Sequence, residues 1–90
     1  MSSYRAVKDE LLMRLRKIEG QIKGLQRMVG EEKYCVDILI QIAAVRAALK
    51  TVGHILLEQH VRGCVRQALA EERGDTIIEE LVDVLYRFTD

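Results

Sequence analysis

The sequence predicts an all-α fold with three helices per chain, and three observations carry that expectation. Proline is absent from all 90 residues, so no position forces a break inside a long helix. Apolar residues make up 49% of the chain while aromatics make up only 4%, the composition of aliphatic helices. Those apolar residues also recur at alternating spacings of four and three, the period of a helix with one buried face.

The first helix is expected from Ser3 to Val29. Leu11, Leu15, Ile18, Ile22, Leu25 and Val29 form a coiled-coil-like stripe along it. Gly30 fits a C-terminal stop, with Glu31 to Lys33 as a short connector. The second helix is expected from near Tyr34 to about Ala70. Ile38, Ile42, Val45, Leu49, Val52 and Leu56 make one stripe, and Val36, Leu39, Ala43 and Ala47 add a second, so this helix is covered on several sides. Gly53 and Gly63 each cost up to ~1 kcal/mol against Ala in a helix interior, yet the pattern still reads as one helix. Gly74 ends it, and Asp75 is the expected N-cap of a third helix that packs through Ile77, Ile78, Leu81, Val84, Leu85 and Phe88.

Ninety residues make a single domain, 1–90, near the size at which a lone core is only modestly stabilising. Two cysteines without a signal peptide argue for a reducing compartment, and no apolar run approaches the ~20 residues of a membrane span. A cytoplasmic protein is expected. The formal net charge is zero but uneven. Residues 1–30 hold seven bases against three acids, a net +4, and the remainder carries −4. A basic first third is compatible with a phosphate-binding surface, although from charge alone a solvated helix face with pairs such as Glu19 and Lys23 is the simpler account.

Cys35, His60 and Cys64 are the residues most able to carry chemistry. His60 and Cys64, four apart, project from one helix face. Cys35 lies 25 residues before His60, roughly 40 Å away on a continuous helix. No straight helix brings them together, but an antiparallel second copy does. Cys35 of one chain then falls opposite His60 and Cys64 of the other, with the two-fold axis near Ala48, where Ala43, Ala44, Ala47 and Ala48 allow close approach. Helices of such unequal length do not close a bundle alone, so a homodimer with an antiparallel four-helix bundle is expected. Taken singly, each of the three residues also fits a packed core. No cysteine or second histidine lies three or four residues from His54.

Three motifs in register resemble the copper-sensitive operon repressor family. They are Arg14-Leu15-Arg16-Lys17-Ile18-Glu19-Gly20-Gln21, then Tyr34-Cys35-Val36-Asp37-Ile38 with Gln41-Ile42-Ala43-Ala44-Val45 and His60-x-x-x-Cys64, and finally Ile78-Glu79-Glu80-Leu81. The resemblance implies an all-helical homodimer that associates into a tetramer and represses genes on double-stranded operator DNA until an inducer binds. It implies metal ligation by Cys35, His60 and Cys64, and a link from the bound histidine through Tyr34 and Glu80. It also implies DNA contacts from the basic first helix, drawn here as Arg14, Arg16, Lys17 and Gln21. Several relatives carry a basic residue where this chain has Thr51, and Lys50 is the candidate substitute.

Two thiolates and one imidazole form a soft, three-coordinate donor set suited to Cu(I). Zinc would want a fourth ligand. Nickel or cobalt sensors of this scaffold use other histidines, formaldehyde sensors lack the last cysteine, and persulfide sensors lack the histidine. The expectation is a Cu(I)-responsive repressor that binds DNA without metal, with persulfide or thiol-redox sensing as the alternative. A thiol enzyme using Cys35 or Cys64 with His60 as base is disfavoured, because no oxyanion-forming loop or orienting third residue is evident.

Overall fold

In the computed structural model the described residues, 4–71 and 74–88, form helices and turns and no strand. The side chains of Cys64, Val65, Ala68 and Ile77 lie outside that description, as does Ser3, the expected start of the first helix. One 3-10 turn, Arg5–Val7, leads into α1, Lys8–Gly30. After the turn comes α2, Cys35–His60, then a π-helical turn, Val61–Val65. Two further helices follow: α3, Arg66–Ala70, and α4, Gly74–Phe88.

Val7–His54 form one compact unit built on a helical hairpin. Its core is narrow: Leu11 and Ile18 of α1, with Val45 and Val52 of α2, are the buried apolar residues. Each set repeats after seven residues, two helical turns, so each helix presents one column. Half-buried Leu25 and Ile38 continue the columns towards the turn. Leu11 and Val52, Ile18 and Val45, and Leu25 and Ile38 are equidistant from that turn, as an antiparallel seam requires.

The adjoining columns stay open, and here the structure refines the expected stripes. Leu15, Ile22 and Val29 are 41%, 41% and 60% exposed. Ile42, Leu49 and Leu56 are 38%, 46% and 37% exposed. Half of each apolar stripe is spent within the hairpin, and half is left uncovered.

The turn corrects the expected stop at Gly30, which is the last residue of α1 itself. The left-handed residue is Glu32, with φ 56°. Lys33 N–H donates to the Met28 carbonyl at 2.9 Å and Glu32 N–H to the Val29 carbonyl at 3.0 Å, the paired bonds of a Schellman stop. A side chain at that position strains the backbone where glycine would not.

The segment expected as one helix to Ala70 is not uniformly α-helical. The π-helical turn Val61–Val65 departs from the i→i−4 ladder at Gly63, whose low helix propensity makes the departure cheap. His60 and Arg66 on either side keep α-helical dihedrals, so the path continues through it. The other described residues form the second compact unit, in which α4 packs on both the π-helical turn and α3. Gly74 opens α4 and Asp75 lies in its first turn, so Asp75 is not the cap expected. Leu81, Leu85 and Phe88 are half-buried, whereas Ile78 and Val84 are exposed.

Glu32→Gly should raise unfolding stability by about 0.5–1 kcal/mol, part of the ~1–2 kcal/mol left-handed strain being returned as glycine entropy. Glu32→Val should lower it. Urea unfolding of the three proteins side by side measures both effects.

Candidate functional site

Cys35 is the first residue of α2, and its thiol is free and exposed. The helix starts there because the Tyr34 carbonyl accepts the N–H groups of Asp37 at 3.0 Å and Ile38 at 3.3 Å. A thiolate at this position meets the positive end of the helix dipole. His60 is the last residue of α2 and is half-buried. The two are the end residues of α2 and belong to different compact units. Among the described residues, no three His, Cys, Asp or Glu side chains gather into a metal-binding group within one chain.

The two residues nevertheless share a face. Steps of four and three lead from Cys35 through Leu39, Ile42, Arg46, Leu49, Gly53 and Leu56 to His60. Its large apolar members are exposed, Leu39 at 60%. The seam reads the same spacing from either end about a point between Ala47 and Ala48. Ala43, Ala44, Ala47 and Ala48, the small residues expected at a two-fold axis, are not members of this row, and Ala48 lies on the other flank. That seam was not evident from apolar positions alone, because Arg46 and Gly53 interrupt it.

Position 64 falls inside the π-helical turn. Tyr34 is 67% exposed just before α2, and Glu80 is exposed on α4. The two belong to different compact units.

On the opposite flank of the hairpin seam lies a groove of about 440 Å³, lined by Met13, Arg14, Lys17, Ile18, Gln21 and Ala48. Steps of three and four place Arg14, Lys17 and Gln21 along one side of α1, turned away from Leu15 and Ile22. Three of the expected DNA-contacting residues are thus brought together. Arg16 and Lys50 are exposed and do not line the groove. Arg16 is two residues from Arg14, a turn of about 200°. The Arg14 guanidinium is held by Glu10, its Nη2 and Nε donating to Oε1 at 3.2 and 3.4 Å. Thr51 turns its hydroxyl back onto the Ala47 carbonyl at 3.2 Å. Met13 and Ala48 were not expected in this groove, since only the hairpin register sets α2 beside this part of α1.

The family model for metal-sensitive transcriptional repressors matches residues 7–87. The chain belongs to that family. Its members are transcriptional repressors, not enzymes, and act on DNA. The chain is 50% identical to the copper-sensing transcriptional repressor CsoR of Bacillus subtilis (strain 168) over 82 residues, 91% of this chain and 81% of that protein. Its fold matches the crystal structure of the copper-sensing repressor CsoR with Cu(I) from Geobacillus thermodenitrificans NG80-2. The TM-score there is 0.89 at 43% identity, covering 96% of this chain and 90% of that one. The nickel-responsive transcriptional regulator InrS is also similar, with a TM-score of 0.76 at 41% identity over 89% of this chain and 90% of that one. The all-helical fold and the family are those the sequence motifs implied. No described helix is long and apolar enough to cross a membrane.

Proposed function

We propose that this family member is a Cu(I)-responsive repressor whose metal site is shared between two antiparallel copies. The observation that carries the reading is the symmetric seam of α2, open along its length and ended by Cys35 and His60. Cys35 of one copy, with His60 and Cys64 of the other, supplies two thiolates and an imidazole. Because copper-sensing and nickel-responsive relatives share the fold, the donor set selects the metal, and a soft sulfur-rich set suits Cu(I).

Exposed apolar side chains on the seam support the second copy, Leu39 at 60% and Leu49 at 46%. A homodimer is the minimal assembly, and the exposed apolar residues of α4 provide surface for a homotetramer.

Without metal, Arg14, Lys17 and Gln21 offer DNA a cationic groove with an apolar floor. Cu(I) supplies a bond between copies that Cys35, His60 and Cys64 cannot make by themselves. If the linked arrangement suits DNA less well, metal and DNA weaken each other's binding by one factor. His60 carries the coupling through its second ring nitrogen, towards Tyr34 and Glu80. Persulfide sensing requires two thiols but gives His60 no part, so it remains the second reading.

An anaerobic Cu(I) titration with copper-edge absorption should give one ion per chain bound to two sulfurs and one nitrogen, with DNA released in the same sample. Cys35→Ser should abolish tight binding, while His60→Ala should keep copper on sulfur and lose the release. Normal release by His60→Ala would defeat the relay. DNA affinity should fall steeply with salt. Arg14→Ala or Lys17→Ala should lower both the affinity and, by about one unit, the salt slope, with Arg16→Ala and Lys50→Ala close to wild type. Leu49→Glu should dissociate the assembly in sedimentation while leaving helical circular dichroism intact, because Leu49 is outside the hairpin core.

A further inference from the structure

We propose that the two Arg46 side chains of the assembled dimer bind one inorganic oxyanion of the phosphate or sulfate class on the two-fold axis. The inference rests on the antiparallel assembly proposed above and adds to it a second, metal-independent site.

Arg46 is the one charged residue between Cys35 and His60 on the open seam of α2. It is exposed in the single chain, and no ion pair among the described residues engages it. From Ile38 to Leu57, α2 contains no acid. A second copy of α2 therefore brings cations and no carboxylate to this surface.

Symmetry then does the rest. With Cys35 opposite His60, the axis passes between positions 47 and 48, so the two Arg46 Cα atoms are offset by only about 4.5 Å along the bundle. Helix axes in contact lie 8–10 Å apart. Two guanidinium groups thus converge from either side of the axis. Withdrawing like charges from water at an interface is costly without a counter-ion. A guanidinium fork matches the oxygens of a tetrahedral anion in bidentate fashion, and two forks can share one.

The acid nearest in level is Glu19 of α1. Glu19 and Arg46 flank the same face of the hairpin within two residues of level, yet no ion pair joins them in the single chain. An external anion fits the arrangement better.

The test uses the full chain, free of metal and DNA, titrated with inorganic phosphate at fixed ionic strength and followed by calorimetry and thermal unfolding. Wild type should bind one phosphate per dimer in a saturable manner, with a rising midpoint. R46Q should lose the response, R46K should bind more weakly, and E19Q should bind like wild type. R46Q should also keep wild-type affinity for operator DNA in phosphate-free buffer. Equal phosphate binding by R46Q, or none by an assembled wild type, overturns the site and leaves the copper reading standing. Assembly lost in E19Q with no phosphate response in wild type would make Glu19 the counter-ion and overturn it as well. A DNA defect in R46Q matching that of Arg14→Ala would assign Arg46 to DNA and do the same. A wild type monomeric at all concentrations would bring down the shared-site assembly together with this inference.

Discussion

The hairpin seam between α1 and α2 is the constraint on which the rest depends. It uses one column from each helix: Leu11, Ile18 and Leu25 against Ile38, Val45 and Val52. A seam one column wide fixes how far each helix can rotate. Once Ile18 and Val45 face inward, Leu15, Ile22, Ile42 and Leu49 are forced onto one flank, and Arg14, Lys17 and Gln21 onto the other. The apolar flank is exposed in the single chain, and the other flank carries the cationic groove. A change that rolled α2 by one residue, about 100°, would move Cys35 and His60 off the open flank together. The packing that holds the hairpin therefore also aims the ligands.

The length of α2 has a second consequence. Cys35 and His60 are the two end residues of a 26-residue helix, and no described metal-binding group joins them within one chain. In the proposed dimer a metal site shared between copies would suit a switch, because its occupancy would report on the relation between copies rather than on local packing. Symmetry would place one such site at each end of the seam, and both would bias the same interface. The coupling needs no separate pathway if the helices move as rigid elements.

Much of this was legible in the residues. Absence of proline and four-three apolar spacing gave the helices, and three motifs in register gave the family. What stayed hidden has physical causes. The four-three rule cannot tell which column of a double stripe is spent inside the chain, because Leu11 and Leu15 have equal hydrophobicity and differ only in direction. Gly30 is the better left-handed residue on propensity, yet hydrogen bonding from Lys33 and Glu32 places that conformation at Glu32. Here the closing geometry of the helix overrode local preference. A π-helical turn has no sequence period of its own, so Val61–Val65 could be marked only as weak, through Gly63. The groove was half visible. Arg14, Lys17 and Gln21 line up by spacing alone, whereas Ala48 joins them only through tertiary register.

The departure at Thr51 bears on how this chain distributes its positive charge. Thr51 spends its hydroxyl on its own helix, so α2 gives the groove a small residue, Ala48, and no cation. Arg46 and Lys50 stand on α2 but point away from that flank, each more than a quarter turn from Val45. Groove electrostatics therefore depend on α1 alone, and of its two cations there Arg14 is shared with Glu10. An exposed pair of this kind is worth only a few tenths of a kcal/mol, so a phosphate can displace Glu10 at small cost. In the proposed DNA complex Glu10 would act chiefly as a holder, keeping the Arg14 guanidinium along α1 beforehand. Lys17, with no such carboxylate, is the stronger long-range attractor of the two, and Arg14 the better reader of phosphate geometry.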